Sequence, residues 1–378
     1  MTLVGSIFLV LVLTTLSPMV ACAAPGYRMI GEFAPMESVW IQWPDPRDST
    51  MYGFHPTIGF YLNPQEWNPP FVELVRECQT EGKVNIIVLG DYGEQYARCY
   101  LTLSKVPLDN VFFHKLSYDH PWARDNLGPF CVKDGKLHML DFGFNAWDRP
   151  DWGPYERDDK VPEQVANMLG IGCTHVTYVD PIDGKTKTLI YEGGGFEYSG
   201  EGTTVAVWST IKNRNPNITQ AQATQIFKEI TGAHTVIWIE YSRYEPDDPR
   251  YGSGANHTDG FMKFYAPGKV TVSGKKGKAL EAIEKLEAAG WTVDKVEMAW
   301  TFMNNLIFGN KVIAGCSSYD WGSDAYLDAE EFEKKIQAGK KELQKLFPDK
   351  EIVVIDITIL ALNGGGIHCV TQQQPRVP

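Results

Sequence analysis

The sequence predicts a single α/β domain in which short strand–helix groups repeat along the chain and deliver their loops to one axis. Three observations predict it. Apolar runs of strand length outnumber helical ones, and the helical patterns fall between short groups of strands. Loops bearing ionisable side chains recur at near-constant spacing: 67 residues from Asp125 to Glu192, 65 from Glu192 to His257, and 112, twice 56, from His257 to Cys369. No Pro/Ser-rich linker divides the 378 residues. One period carries no obvious catalytic group, and the residues themselves do not visibly repeat.

The elements follow in order. Residues 38–43 alternate as a strand and stop at Pro44, and a polar, aromatic loop runs to about Asn68. Phe71, Leu74, Val75 and Cys78 have helical spacing; 84–90 is a buried-type strand, 95–103 a short helix and 111–116 a strand leading to Trp122-Ala-Arg-Asp125. Strands are predicted at 130–133 and 137–144, a helix at 161–169, then strands at 174–179 and 188–191 before Glu192-Gly-Gly-Gly195. A strand at 203–208, an amphipathic helix at 219–230 and a strand at 235–239 precede the loop Gly252-Ser-Gly-Ala-Asn-His-Thr-Asp-Gly260. Strands at 261–265 and 270–273, a helix at 278–289, strands near 291–298 and 305–314, a helix at 329–346 closed by Pro348, and a strand at 352–355 complete the run. Last comes Asn363-Gly-Gly-Gly-Ile-His-Cys-Val-Thr371. Its glycines allow a tight turn and close approach, and 367–371 reads as a strand on which His368 and Cys369 face opposite ways.

Composition narrows the function. Charged residues at 22% and hydrophobic ones at 43% suit a globular domain with a large core. With 47 acidic against 35 basic residues, a formal charge of −12 and no Lys/Arg cluster, nucleic acid and anionic membrane are disfavoured as partners, and a cationic ligand is favoured. Residues 3–16 are almost wholly apolar, Pro18 interrupts them, and Ala21-Cys22-Ala23 has small residues at cleavage-site spacing. Residues 1–23 therefore read as a cleavable signal, with 24–378 the domain and an extracytoplasmic destination; a short anchor or a lipid-attached Cys22 are the other readings. Six cysteines remain after cleavage, too few for a dense disulfide framework, and no Cys-x-x-Cys pair supports a zinc ribbon. Asn217 and Asn256 head N-x-Thr glycosylation sequons.

Asp125, Glu192, His257, Asp259 and Cys369 each fall in a strand-end loop. Alone, each has a structural explanation: a salt bridge with Arg124, a turn carboxylate, a core histidine, a buried thiol. Together they could build three sites. Zinc on His257, Asp259 and Cys369 would consume the nucleophile and lacks ligand spacing. A Cys–His–Asp hydrolase of protease type leaves Asp125 and Glu192 idle. Carboxylates around a thiol suit a third task, gripping a planar guanidinium whose paired N–H donors match them. No phosphate loop and no dinucleotide fingerprint occur; attack by a thiol on a guanidinium carbon needs no metal or organic cofactor.

The chain resembles the agmatine deiminase and bacterial-type peptidylarginine deiminase family of the guanidino-group-modifying (pentein) superfamily. The resemblance runs from Arg28-Met-Ile-Gly-Glu-Phe-Ala-Pro-Met-Glu37 and Trp40-Ile-Gln-Trp-Pro44 through Trp122-Ala-Arg-Asp125, Asp141-Phe-Gly-Phe-Asn-Ala-Trp147, Glu192-Gly-Gly, Gly200-Glu-Gly-Thr203 and His257-x-Asp259 to Gly364-Gly-Gly-Ile-His-Cys369 and Gln374-Pro375. It implies a fivefold pseudosymmetric α/β propeller of ββαβ units and hydrolytic deimination, most directly of agmatine to N-carbamoylputrescine and ammonia. Peptidyl-arginine or another guanidino substrate is the alternative, and a non-catalytic cation binder the further one. It implies Cys369 as nucleophile, His257 as proton shuttle, Asp125 and Asp259 as guanidinium clamps, Glu192 orienting His257 or the substrate, and Trp122 lining the pocket against the alkyl chain. The sequence departs from the agmatine deiminase pattern at Gly195-Phe-Glu-Tyr198, at Asn256 and after Pro44, departures that bear on the substrate's tail.

Overall fold

The computed structural model describes residues 26–47, 64–149, 154–240 and 257–377. The predicted signal segment 1–23, the sequon residue Asn256 and residues 252–256 of the predicted glycine-rich loop lie outside the described residues.

Helices form where local chemistry places them. Val161–Leu169 has proline in its first turn, where the missing N–H costs nothing, and ends on Gly170 at φ +64°. Gln220–Thr231 and Ala329–Leu346 each open with a reciprocal capping box, Thr219 with Gln222 and Asp328 with Glu331. Such a cap contributes about 1 kcal/mol.

Among the described residues, besides two two-stranded sheets, the strands assemble into five sheets of three or four strands that share one order: an antiparallel pair, a helical crossover, then a parallel neighbour. Phe130–Lys133 pairs with Lys136–Asp141, and helix Val161–Leu169 leads to Gly172–His175. Phe196–Tyr198 pairs with Thr203–Val207, and helices Trp208–Arg214 and Gln220–Thr231 lead to Thr235–Ile239. Met262–Ala266 and Lys269–Ser273 are followed by helix Gly277–Ala288 and Thr292–Val296. Leu306–Phe308 and Lys311–Cys316 are followed by helix Ala329–Leu346 and Glu351–Asp356.

The fifth sheet joins distant parts of the chain. Gln372–Pro375 lies antiparallel to Met36–Gln42, which continues through helix Asn68–Cys78 to Lys83–Val88 and through helix Gly90–Leu103 to Val111–Lys115. Gln374 fastens the junction, its side-chain oxygen accepting from Trp40 Nε1 at 2.9 Å and Ser38 Oγ at 3.1 Å. Parallel strands flanked by helices are buried on both faces, so Ile86, Ile87 and Val88 are all inaccessible. Trp122, Ile367 and Val370, from site-bearing loops, share one apolar cluster with Trp43, Phe71 and Ile313.

Most predicted elements occur, but the strand predicted at 188–191 is reduced to Thr188, the last residue of Thr186–Thr188, and Phe196–Tyr198 is an unpredicted strand. The stretch 305–314 is a hairpin, because Gly309 at φ +57° turns the chain between its strands. The stretch 174–179 splits into Gly172–His175 and Thr177–Val179, which belong to different sheets. Trp208–Arg214 is helical, although residue 208 was expected to end a strand and no element was predicted for 209–218. The predicted strand 367–371 is instead a turn at 367–370, and the strand begins at Gln372. Among the described residues, no helix is long and apolar enough to cross a membrane.

Candidate active site

Each of the three glycines before the C-terminal turn has its own reason. Gly364 takes φ +84°, which favours glycine. A Cβ on Gly365 would stand 2.1 Å from Trp122 Cζ3, and one on Gly366 would stand 2.5 Å from Asn304 Oδ1. The turn is then pinned from outside. His368 N–H donates to Asn304 Oδ1 at 3.0 Å, Cys369 N–H donates to the same oxygen at 3.4 Å, and the Arg124 N–H donates to the Cys369 carbonyl at 3.0 Å. These tertiary bonds override the strand propensity of Ile-His-Cys-Val-Thr. In this turn, His368 and Cys369 do not diverge. Asp259 Oδ2 lies 2.9 Å from His368 Nδ1 and 3.8 Å from Cys369 Sγ.

Cys369 is half-buried, with Asn304 Oδ1 3.4 Å from its sulfur. Burial, then the charges of Asp259 and Asp125, push this thiol well above the usual cysteine range. The resting site therefore holds a thiol.

Gly194 gathers the other groups. Its N–H donates to Asp125 Oδ1 at 2.9 Å, and its carbonyl accepts from the Thr258 N–H at 3.0 Å and the Asp259 N–H at 3.4 Å. A Cβ at Gly194 would lie 2.8 Å from His257 Nδ1, 2.9 Å from Asp125 Oδ1 and 3.1 Å from Asp259 Oδ2. One imidazole and two carboxylates thus meet around a single backbone position. His257 and Asp259 lie at a tight turn, and their side chains reach the same place.

Around this point the charges are ordered. His257 Nδ1 is 3.8 Å from Asp125 Oδ2, and its Nε2 is 3.6 Å from Glu192 Oε2. Burial would lower the imidazole, but Asp125 and Glu192 outweigh it and raise His257 to about 9. Glu192 is buried, which would raise its carboxyl; Arg214, whose Nε bonds Glu192 Oε1, and His257 bring it below its ordinary value. Burial raises Asp125, against the pull of His257. Trp147 Nε1 donates to Asp125 Oδ2 at 2.9 Å from a left-handed turn in which Ala146, Trp147 and Asp148 all have φ between 53° and 61°. Three such residues in succession cost roughly 1–2 kcal/mol each.

Beneath Asp259 runs a buried ionic chain. Glu32 accepts from His368 Nε2 at 2.9 Å, Arg124 Nη1 at 2.8 Å and Lys263 Nζ at 3.0 Å, while Lys263 also lies 3.6 Å from Glu197. Burial would raise Glu32, yet Arg124, His368 and Lys263 hold it well below the carboxylate range. Asp259 is likewise lowered, with the His368 hydrogen bond the main offset to its burial. Removing one partner from such a chain leaves an uncompensated charge, at a cost of about 3–5 kcal/mol.

All the residues singled out in the sequence lie in this region. Asp125, His257 and Asp259 meet at Gly194, Glu192 backs His257, and Asp259 reaches Cys369. Trp122 packs edge-on to Trp67 at 5.9 Å and under Gly365. Glu197, one of the departures expected to bear on the substrate's tail, faces Lys263 in the buried chain. Sequence reasoning assigned no role to Asn304, Glu32, Arg214, Lys263 or Trp147. Glu32 and Trp147 stand inside motifs carrying the resemblance; Asn304 and Arg214 have no local signal.

A thiol, an imidazole and buried carboxylates at the loop ends of a mixed α/β fold define the class, a cysteine-dependent enzyme. The Porphyromonas-type peptidyl-arginine deiminase pattern matches residues 28–301 and 275–375, and the chain belongs to that family. Agmatine deiminases of Pseudomonas aeruginosa and Pseudomonas putida are 24% and 26% identical to it, over 93% of this chain and 96% of each of theirs. The solved agmatine deiminase of Enterococcus faecalis superimposes with TM-score 0.72 at 22% identity, covering 93% of this chain and 97% of that one. A C. jejuni agmatine deiminase with substrate bound gives 0.70 at 19% identity, covering 93% and 97%.

Proposed function

We propose that the protein hydrolyses a guanidino group, converting agmatine to N-carbamoylputrescine and ammonia. The observation that carries this reading is the convergence of Asp125, Asp259 and His257 around Gly194, with Asp259 3.8 Å from the Cys369 thiol. Two carboxylates on one side of a thiol match the paired N–H donors of a guanidinium and bring its central carbon to the sulfur. The full-length similarity to agmatine deiminases supports agmatine as substrate. The five sheets of common order support a fivefold pseudosymmetric propeller of ββαβ units around the site. Residues 1–23 are proposed to direct export, which N-terminal sequencing of secreted protein would test.

The steps follow from the groups present. The bound cation offsets the charges of Asp125 and Asp259 that hold the thiol protonated, so on binding the thiol releases its proton to solvent, His257 being already protonated, and the thiolate becomes accessible. It attacks the guanidinium carbon, forming a C–S bond. His257, protonated below about 9, gives its proton to the departing nitrogen; the C–N bond breaks and ammonia leaves. The neutral imidazole then takes a proton from water as that water adds to the thiouronium carbon. The C–S bond breaks, releasing the ureido product and the thiolate. Asp125 and Asp259 grip the cation throughout, Glu192 orients His257, and Trp122 borders the alkyl chain.

Ammonia release from agmatine, free arginine and an arginine-containing peptide tests the substrate. Agmatine should be turned over best. Preference for the peptide would reassign the substrate, and no release from any of the three would refute deimination.

The raised thiol has a pH signature. Below its pKa the thiolate fraction rises tenfold per pH unit, so carboxamidomethylation of Cys369 in free enzyme should accelerate about tenfold per unit without a plateau through pH 9. Because Cys99 is an exposed free thiol, the Cys369 peptide must be followed by mass spectrometry. A plateau below pH 8 would show a thiolate at rest. The second limb comes from His257: kcat/KM should fall above about pH 9 as its proton is lost.

A further inference from the structure

Four of the five sheet units supply the titratable groups of the site or the carboxylates behind it. The unit built from Leu306–Phe308, Lys311–Cys316 and Glu351–Asp356 supplies none, matching the silent period in the sequence. Where its loop enters the site it presents Asn304, which is 1% exposed and directly follows the short helix Trp300–Met303. Its carbonyl also accepts the His368 N–H at 3.3 Å, so side chain and backbone both hold the turn.

We propose that Asn304 is the positioning residue for the nucleophile: it sets the turn at Cys369 and, through an uncharged acceptor against the sulfur, holds the thiol in place while opposing its ionisation less than a carboxylate would. This rests on the deimination reading above, which it deepens. The orientation of the amide is determined by chemistry. Two backbone N–H groups, of His368 and Cys369, point at one side-chain atom, and only the oxygen can accept from them. The same oxygen lies 3.4 Å from Sγ. The thiol thus has two acceptors beside it, Asn304 Oδ1 and Asp259 Oδ2, of which only the second carries charge. Gly366 is needed for this contact, since a Cβ there would meet Asn304 Oδ1 at 2.5 Å.

Two variants separate positioning from mere structure. Asn304→Asp keeps an acceptor for both N–H groups, so the turn is retained, but places a second negative charge against the sulfur. Carboxamidomethylation of Cys369 at fixed pH should slow about tenfold or more, the factor for one pKa unit. Its kcat at pH 7.5 should fall at least about tenfold and recover in part as pH rises, with KM little changed. Asn304→Ala removes the acceptor without adding charge, so kcat should fall about tenfold or more at every pH while the alkylation rate shows no such slowing. An Asp variant whose alkylation profile superimposes on that of the parent, or an Ala variant with parental kcat, would overturn the proposal. If circular dichroism shows the Asp variant unfolded, the Ala variant decides on kcat. A parent enzyme that deiminates nothing would refute the proposed function instead; alkylation would still report the Asn304–Cys369 contact.

Discussion

Replacing Cys369 by serine should lower ammonia release from agmatine by at least about 10⁴-fold while leaving the fold unchanged. The size of the loss follows from the chemistry: a hydroxyl between Asn304 Oδ1 and Asp259 Oδ2 is a far weaker nucleophile than a thiol brought to ionisation by a bound cation. Retention of the fold follows from the geometry. Both neighbours of the sulfur are acceptors, so the single O–H of serine can donate to either one, and the turn keeps its bonds to Asn304 and Arg124. Turnover and thermal melting of one preparation check both halves. Residual turnover above about 1% of the parent would place the nucleophile elsewhere.

Asp259→Asn should produce two changes of opposite sign. Asp259 is one of the carboxylates proposed to grip the guanidinium, and neutralising one member of a buried charge pair costs 2–5 kcal/mol, so kcat/KM should fall on the order of 10³-fold. Agmatine affinity, measured by calorimetry in the Cys369→Ser background where no turnover intervenes, should fall with it. The same carboxylate is among the causes of the raised thiol, after burial. Without it, alkylation of Cys369 in free enzyme should become faster than in the parent. Damage to the fold alone would not combine slower turnover with faster, still pH-dependent alkylation. A variant with parental affinity would remove Asp259 from the clamp.

Much of this arrangement was legible in the chain, for physical reasons that also explain what was not. Helix Ala329–Leu346 matches the predicted 329–346 because Asp328, Glu331 and Pro348 mark its ends locally. Asp125, Glu192, His257 and Asp259 could be named because each lies beside glycines or an aromatic in a strand-end loop, a context that survives in one dimension. The turn at 367–370 could not, since Ile, Val and Thr favour a strand and the bonds that forbid one come from Asn304 and Arg124, 64 and 244 residues away. Polar Gln372–Pro375 has no strand pattern at all; its conformation is imposed by Met36–Gln42. Asn304 and Arg214 were missed for a related reason. An amide following a four-residue helix and an arginine at a helix end look like solvated surface until the fold buries them.

The sheet closed by Gln372–Pro375 also sets the order in which the molecule can mature. Ser38 and Gln374 are 336 positions apart, so this pairing is among the most non-local in the chain and must pay a long loop-closure entropy before its contacts form. During synthesis, this edge of Met36–Gln42 waits unpaired until Gln372–Pro375 leaves the ribosome, and an unpaired edge is a template for association with other chains. Cys369 lies just three residues before that strand. The thiol of Cys369 therefore emerges after the acids and the imidazole it joins, and it reaches them through a turn that leads directly into this long-range pairing.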